Sequence, residues 1–127
     1  MKICGLTDLG QALAIAAMGV DAIGVIGVAG TPRYVEDTPR RNLFSQLEQH
    51  CPEVHRVWVV ADASEKELDA SLQGNGIPTV MQLHGKETPE QCLALRQRHP
   101  KTRVWKALRL RSLDDLKSVE NLSLIHI

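Results

Sequence analysis

The feature that most constrains this chain is an alternation. Short apolar runs rich in β-branched residues, at positions 2–4, 22–28, 57–60, 79–83 and 104–110, are separated by stretches of helical character. Runs this continuously apolar fit strands buried on both faces, and strands that alternate with helices build a parallel sheet covered by helices. The expected class is therefore α/β.

Local signals place the helix ends. Asp8 precedes the first helical stretch with Gln11 three positions on, so both side chains can satisfy backbone N–H groups left free in a first turn, and Gly19 supplies the stop. The second helix is expected to begin at Thr38, with Pro39 at its first position, and to run towards His50 before Pro52. Leu43 and Leu47 give it an apolar stripe. Ser64 with Glu67 reads as a capping box for the third helix, which should stop at Gly74-Asn75-Gly76. Thr88, Pro89 and Gln91 repeat that logic for the fourth, ending by Pro100.

Length leaves two architectures open. Five β/α units in 127 residues suit a doubly wound, flavodoxin-like open sheet, whereas a closed barrel needs eight units and roughly 250 residues. Periodicity alone favours the open sheet. With 43% hydrophobic and 24% charged residues the chain should form one core rather than remain disordered.

Charge and cysteine usage exclude several functions. Fifteen basic residues balance fifteen acidic ones, so no global field draws the protein to nucleic acid or an anionic membrane. No apolar run approaches the roughly 18 residues of a membrane span. Met1-Lys2-Ile3-Cys4 enters the first strand without a charged leader, which predicts a cytoplasmic protein. Cys4, Cys51 and Cys92 are odd in number and widely spaced, a pattern of reduced thiols rather than of a disulfide framework or zinc site.

In either architecture the chemistry belongs at the C-terminal ends of the strands. That rule selects Cys4, the loop Thr31-Pro32-Arg33-Tyr34, Asp62, Gln82 with His84, and Lys106. Each also has a structural reading. Cys4 would be a small buried hydrophobe, Arg33 a solvated loop residue, His84 a satisfied strand-end histidine, and Lys106 half of an ion pair. Asp62 with Lys106 also fits a receiver-type binding module, but the paired acids such a domain carries after its first strand are missing.

Taken together the motifs are more specific. Lys2-Ile3-Cys4-Gly5-Leu6-Thr7 resembles the K-I-C-G-I/L-T opening of phosphoribosylanthranilate isomerases. Thr31-Pro32-Arg33-Tyr34-Val35 is similar to that family's S-P-R-Y-I/V loop, Gln82-Leu83-His84-Gly85 to its Q-L-H-G strand end, and Lys106-Ala107-Leu108 to its K-A-I/L strand. The resemblance runs over residues 1–120 and implies a TIM (β/α)8 barrel that is incomplete here, with about five β/α units. It attributes the shortness to C-terminal truncation, and residues 121–127 then read as a non-native tail. Within the stretch 24–30, where the family often carries aromatic residues, Gly27 and Ala29 would leave the pocket roomier.

The resemblance also implies a reaction, an Amadori rearrangement of N-(5-phosphoribosyl)anthranilate within tryptophan biosynthesis, without cofactor or metal. Such chemistry needs an acid to protonate the ring oxygen and a base to take the proton from C2 of the sugar. By carry-over Cys4 is the base, a role that needs more thiolate than an ordinary cysteine of pKa about 8.5 supplies. Lys2, on the same side of the strand by period-two alternation, is the expected helper. Arg33 would hold the anthranilate carboxylate, and Gln82 and His84 would line the pocket floor or donate hydrogen bonds. The family's acid is an aspartate on the following strand, and its phosphate loops follow strands seven and eight. Neither is matched here, since Asp114 and Asp115 after Ser112 read as first-turn acids of a helix. The expected partner is a small phosphosugar, with self-association through exposed barrel edges. A non-enzymatic half-barrel that pairs with another copy or a separate C-terminal piece is the competing reading.

Overall fold

Residues 1–107 are described by this computed structural model, and strands and helices alternate through all of them. In chain order they are β1 (Lys2–Cys4), α1 (Leu9–Ala17), β2 (Ala22–Ile26), α2 (Asp37–His50), β3 (His55–Val60), α3 (Glu65–Ser71), β4 (Val80–Leu83), α4 (Pro89–Arg98) and β5 (Arg103–Lys106). The readings of Leu108, Ser112, Asp114, Asp115 and segment 121–127 lie outside the described residues.

The strands form one parallel sheet in the order β1-β2-β3-β4-β5. That order decides between the two architectures. A doubly wound sheet reverses direction at a switch point and carries helices on both faces. Here each new strand joins beside its predecessor, and the helices contribute buried residues to one face only. The open-sheet alternative is thereby excluded for the described residues, and the arrangement is that of consecutive barrel staves.

Strand pairing fixes which side chains share a face. Cys4 pairs with Gly24, Gly24 with Val57, and Val57 with Val80. One step further along, Ile26 pairs with Val59, Val59 with Gln82, and Gln82 with Trp105. This face buries Ala22, Val57, Val59 and Val80 against Ile26 and Trp105. The opposite face buries Ile23, Val25, Trp58, Val60, Met81 and Leu83 under the helices. Phe44 and Leu47 of α2 and Leu95 of α4 are among the helix residues that meet it.

Three helix starts follow their local sequence. Asp8 accepts from the Gln11 N–H at 3.2 Å and Ser64 from the Glu67 N–H at 3.1 Å. Thr88 Oγ1 accepts from the Gln91 N–H at 3.2 Å while Gln91 Oε1 accepts from the Thr88 N–H at 2.8 Å, completing a capping box. Gly19 follows α1 with φ +89°, as a helix stop requires. The second helix departs from expectation. It begins at Asp37, with Glu36 as a cap residue that makes no side-chain cap bond. Pro39 is therefore its third residue, still among the four whose N–H has no partner within the helix, so the imino group sacrifices nothing. Asp37 holds Arg40 and Arg41 by ion pairs in place of the expected Thr38 cap.

Candidate active site

Cys4 closes β1 with its side chain exposed, whereas Cys51 and Cys92 are buried. Burial pushes the Cys92 thiol up and away from the reactive thiolate form. The Cys4 sulfur rests on Gly24, where a built Cβ would lie 2.9 Å from Sγ. Gly24 thus leaves the space that the thiol occupies at the mouth of the sheet.

Gly5, the next residue, has φ +86° and donates its N–H to Gly24 O at 2.9 Å. A Cβ on Gly5 would lie 2.8 Å from Arg33 Nη1 and 2.9 Å from Arg33 Cδ. The Arg33 side chain therefore crosses directly over the residue that follows Cys4. Its loop is held by the Thr31 hydroxyl, which donates to Val28 O at 2.7 Å, and by the Val35 N–H, which donates to Ile26 O at 3.0 Å. A guanidinium, suited to a planar carboxylate, is thus brought to the end of the strand that carries Cys4, although the two residues are 29 positions apart in sequence.

The floor lies below them on the same face. Lys2 Nζ donates to Gln82 Oε1 and sits 5.8 Å from the centroid of the Trp105 ring. Three strand spacings, about 14 Å on a flat sheet, separate β1 from β4, so a Lys–Gln bridge requires the sheet to curl towards this face. An open cavity of about 430 Å³ is lined by Gln82, Trp105, Lys106 and Ala107. His84 follows β4 on the side of Gln82, exposed, with its N–H donating to Val60 O at 2.7 Å. Lys2, Cys4, Arg33, Gln82 and His84 are all placed at or below the C-terminal mouth. Lys2 shares a face with Cys4 as expected, but its hydrogen bond goes to Gln82.

Two other candidates turn away from the mouth. Lys106 faces the helices, where it is 5% exposed. It donates to Glu87 Oε1 at 2.7 Å and to Gly85 O at 2.5 Å. Asp62 adopts φ +53° and accepts from the Lys86 N–H at 2.8 Å, while its own N–H donates to Glu87 Oε2 at 2.7 Å. Both residues serve the loops and not the receiver-like acid–lysine site. Glu87 is what the sequence reading missed. Burial works against its charge, but the Lys106 ammonium and the Asp62 N–H outweigh burial and hold the carboxyl below its usual range. The one available signal was an acid placed just before the Thr88 cap.

Gly27 also differs from its expected role. A Cβ there would collide with the Trp58 indole nitrogen, which lies under the helices. Its missing side chain makes room for Trp58 on the helix side. Trp58 in turn stacks on the Arg40 guanidinium, 4.6 Å from ring centroid to Cζ, and Arg40 is only 1% exposed. A cleft of about 300 Å³ bordered by these residues lies on the helix side, away from Cys4.

Among the described residues no three His, Cys, Asp or Glu side chains cluster as metal ligands, and no helix is long and apolar enough to cross a membrane.

Consecutive parallel strands with their helices on one face define the chain as part of a (β/α)-barrel. The sequence model of N-(5'-phosphoribosyl)anthranilate (PRA) isomerase matches residues 1–125. The chain belongs to that family. It is 45% identical over 121 residues to the N-(5'-phosphoribosyl)anthranilate isomerase of Synechococcus elongatus, covering 95% of this chain and 55% of the relative. With the enzyme of Gloeobacter violaceus it shares 40% over 119 residues, 94% of this chain and 52% of the relative. The crystal structure of phosphoribosyl anthranilate isomerase from Thermotoga maritima superposes with a TM-score of 0.83 at 28% identity, over 94% of this chain and 55% of that one. A second structure, of the isomerase in complex with reduced 1-(o-carboxyphenylamino)-1-deoxyribulose 5-phosphate, gives the same TM-score and identity and covers 94% and 58%. The chain spans about half the length of the relatives it matches.

Proposed function

We propose that this chain supplies the base-bearing half of an isomerase site that converts N-(5-phosphoribosyl)anthranilate to 1-(2-carboxyphenylamino)-1-deoxyribulose 5-phosphate in the cytoplasm. The observation that carries the reading is the Arg33 side chain lying across Gly5, the residue that follows Cys4 at the end of β1. The relative solved with a reduced form of that product supports a phosphosugar carrying an aromatic carboxylate.

In this reading Arg33 grips the anthranilate carboxylate and so delivers the sugar C2 to Cys4. An acid from beyond the described residues protonates the ring oxygen, the C1–O bond breaks, and an imine forms. The Cys4 thiolate then removes the C2 proton, the electron pair passes towards the imine nitrogen, and the resulting enolamine tautomerises to the ketone. Gln82 and His84 shape the floor and donate hydrogen bonds. Residues 1–120 act as the N-terminal part of one barrel.

The apolar face of Ala22, Val57, Val59 and Val80 needs covering, and β1 and β5 are sheet edges among the described residues. Residues 1–127 alone accordingly self-associate. The function is tested by offering N-(5-phosphoribosyl)anthranilate to the full-length gene product and to its Arg33→Lys variant. Turnover with a raised KM in the variant supports the reading, and an unchanged KM removes Arg33 from it.

A further inference from the structure

We infer that Glu87 and Lys106 are positioning residues that aim His84 into the mouth of the barrel, a role that rests on the proposed isomerase site. Both side chains are largely covered. Lys106 projects to the helix side and is 5% exposed, and Glu87 is 9% exposed. Their contacts converge on one short stretch of backbone. Glu87 Oε1 accepts from the Gly85 N–H at 2.9 Å and Lys106 Nζ donates to Gly85 O at 2.5 Å, so both polar groups of the residue after His84 are held by one ion pair. The other carboxylate oxygen, Oε2, accepts from the Asp62 N–H at 2.7 Å, and Asp62 Oδ1 accepts from the Lys86 N–H at 2.8 Å. The ends of β3, β4 and β5 are thereby tied to a single carboxylate.

A buried ion pair adds little to stability compared with apolar packing of the same volume, because desolvation cancels much of the attraction. Geometry is what this one supplies. Asp62 fills the space where a Gly85 Cβ would sit, 2.6 Å from Asp62 Oδ2, so the turn has no slack. With its own N–H on Val60 O and Gly85 fixed on both sides, His84 is left with side-chain torsions as its remaining freedom. Displacement of a substrate-positioning group by about 1 Å lowers turnover on the order of 100-fold, so a loosened turn should be felt in catalysis before it is felt in folding.

The test uses the full-length gene product with Glu87→Gln, His84→Ala, and both together. If Glu87 acts through His84, Glu87→Gln lowers kcat/KM by about tenfold in the parent and by less than about twofold in the His84→Ala background. Equal losses in the two backgrounds overturn the inference. Amide hydrogen exchange on the same proteins gives a reading independent of activity. Glu87→Gln should speed exchange at Gly85 and Asp62 while β1 and β2 keep their protection, and unchanged exchange at Gly85 and Asp62 overturns the clamp. If the unmutated product does not turn over the substrate, the isomerase reading falls, and the exchange result still decides whether the clamp exists. Lys106→Arg keeps the charge and should lose less than Lys106→Met, and equal losses in these two contradict a role for the ammonium.

Discussion

The thiol of Cys4 sits on the α-carbon of Gly24, with no room for a methyl group between them. Gly24→Ala would place a carbon 2.9 Å from Sγ and 3.4 Å from the Cys4 Cα. The strand pairing can absorb this at about 1–3 kcal/mol, but the thiol must move. The full-length product carrying Gly24→Ala should stay folded by circular dichroism and lose at least about tenfold in kcat. Wild-type kcat would mean that the position of the thiol is unimportant.

Gly27 looks equally well placed in sequence and behaves differently, because its open side is filled by Trp58. Gly27→Ala should destabilise the protein by about 1–3 kcal/mol in urea denaturation, with a smaller kcat loss than Gly24→Ala. A variant of unchanged stability and altered KM would restore Gly27 to the pocket.

The Glu87 carboxyl titrates below its usual range in the folded protein, since Lys106 and backbone N–H groups outweigh burial. Its contribution is therefore fully present above the unfolded carboxyl pKa of about 4.3 and is lost as pH falls through the lower folded value. The stability gap between the parent and Glu87→Gln should be flat from neutral pH down to about 5 and close below about 4. Asp69, lowered by its His99 hydrogen bond and the nearby Arg98, weakens both proteins in acid alike and drops out of the difference. A gap that widens in acid would reverse the assigned direction.

Residues 1–127 on their own should sediment as oligomers and bind an apolar dye, through the face of Val57, Val59 and Val80. A monomeric chain that unfolds cooperatively and binds no dye would show that this face is already covered.

Local signals carried the sequence reading furthest. Caps at Asp8, Ser64 and Thr88 depend on residues three apart, so they are visible without a fold. Thr38-Pro39 misled because proline is tolerated throughout a first turn and not at one position alone, and Glu36 caps without a side-chain signature. The strand-end rule selected Cys4, Arg33, Gln82 and His84, which the fold places at or after the C-terminal ends of β1, β2 and β4. It also collected Lys106, since it does not say which face a residue near a strand's end will take, and register alone puts Trp105 inward and Lys106 out. Glu87, Trp58 and Arg40 were illegible for the same reason. Lys106 lies 19 residues from Glu87 and Trp58 lies 18 from Arg40, and a buried arginine stacked on an indole has no local pattern.

The central claim is that Cys4 is the base, and the direct measurement is the steady-state rate of N-(5-phosphoribosyl)anthranilate consumption by the full-length gene product and its Cys4→Ala variant. The account predicts a loss of about 100-fold or more in kcat, the scale of a missing general base, with the fold intact. A Cys4→Ala enzyme that turns over near the parent rate would contradict it.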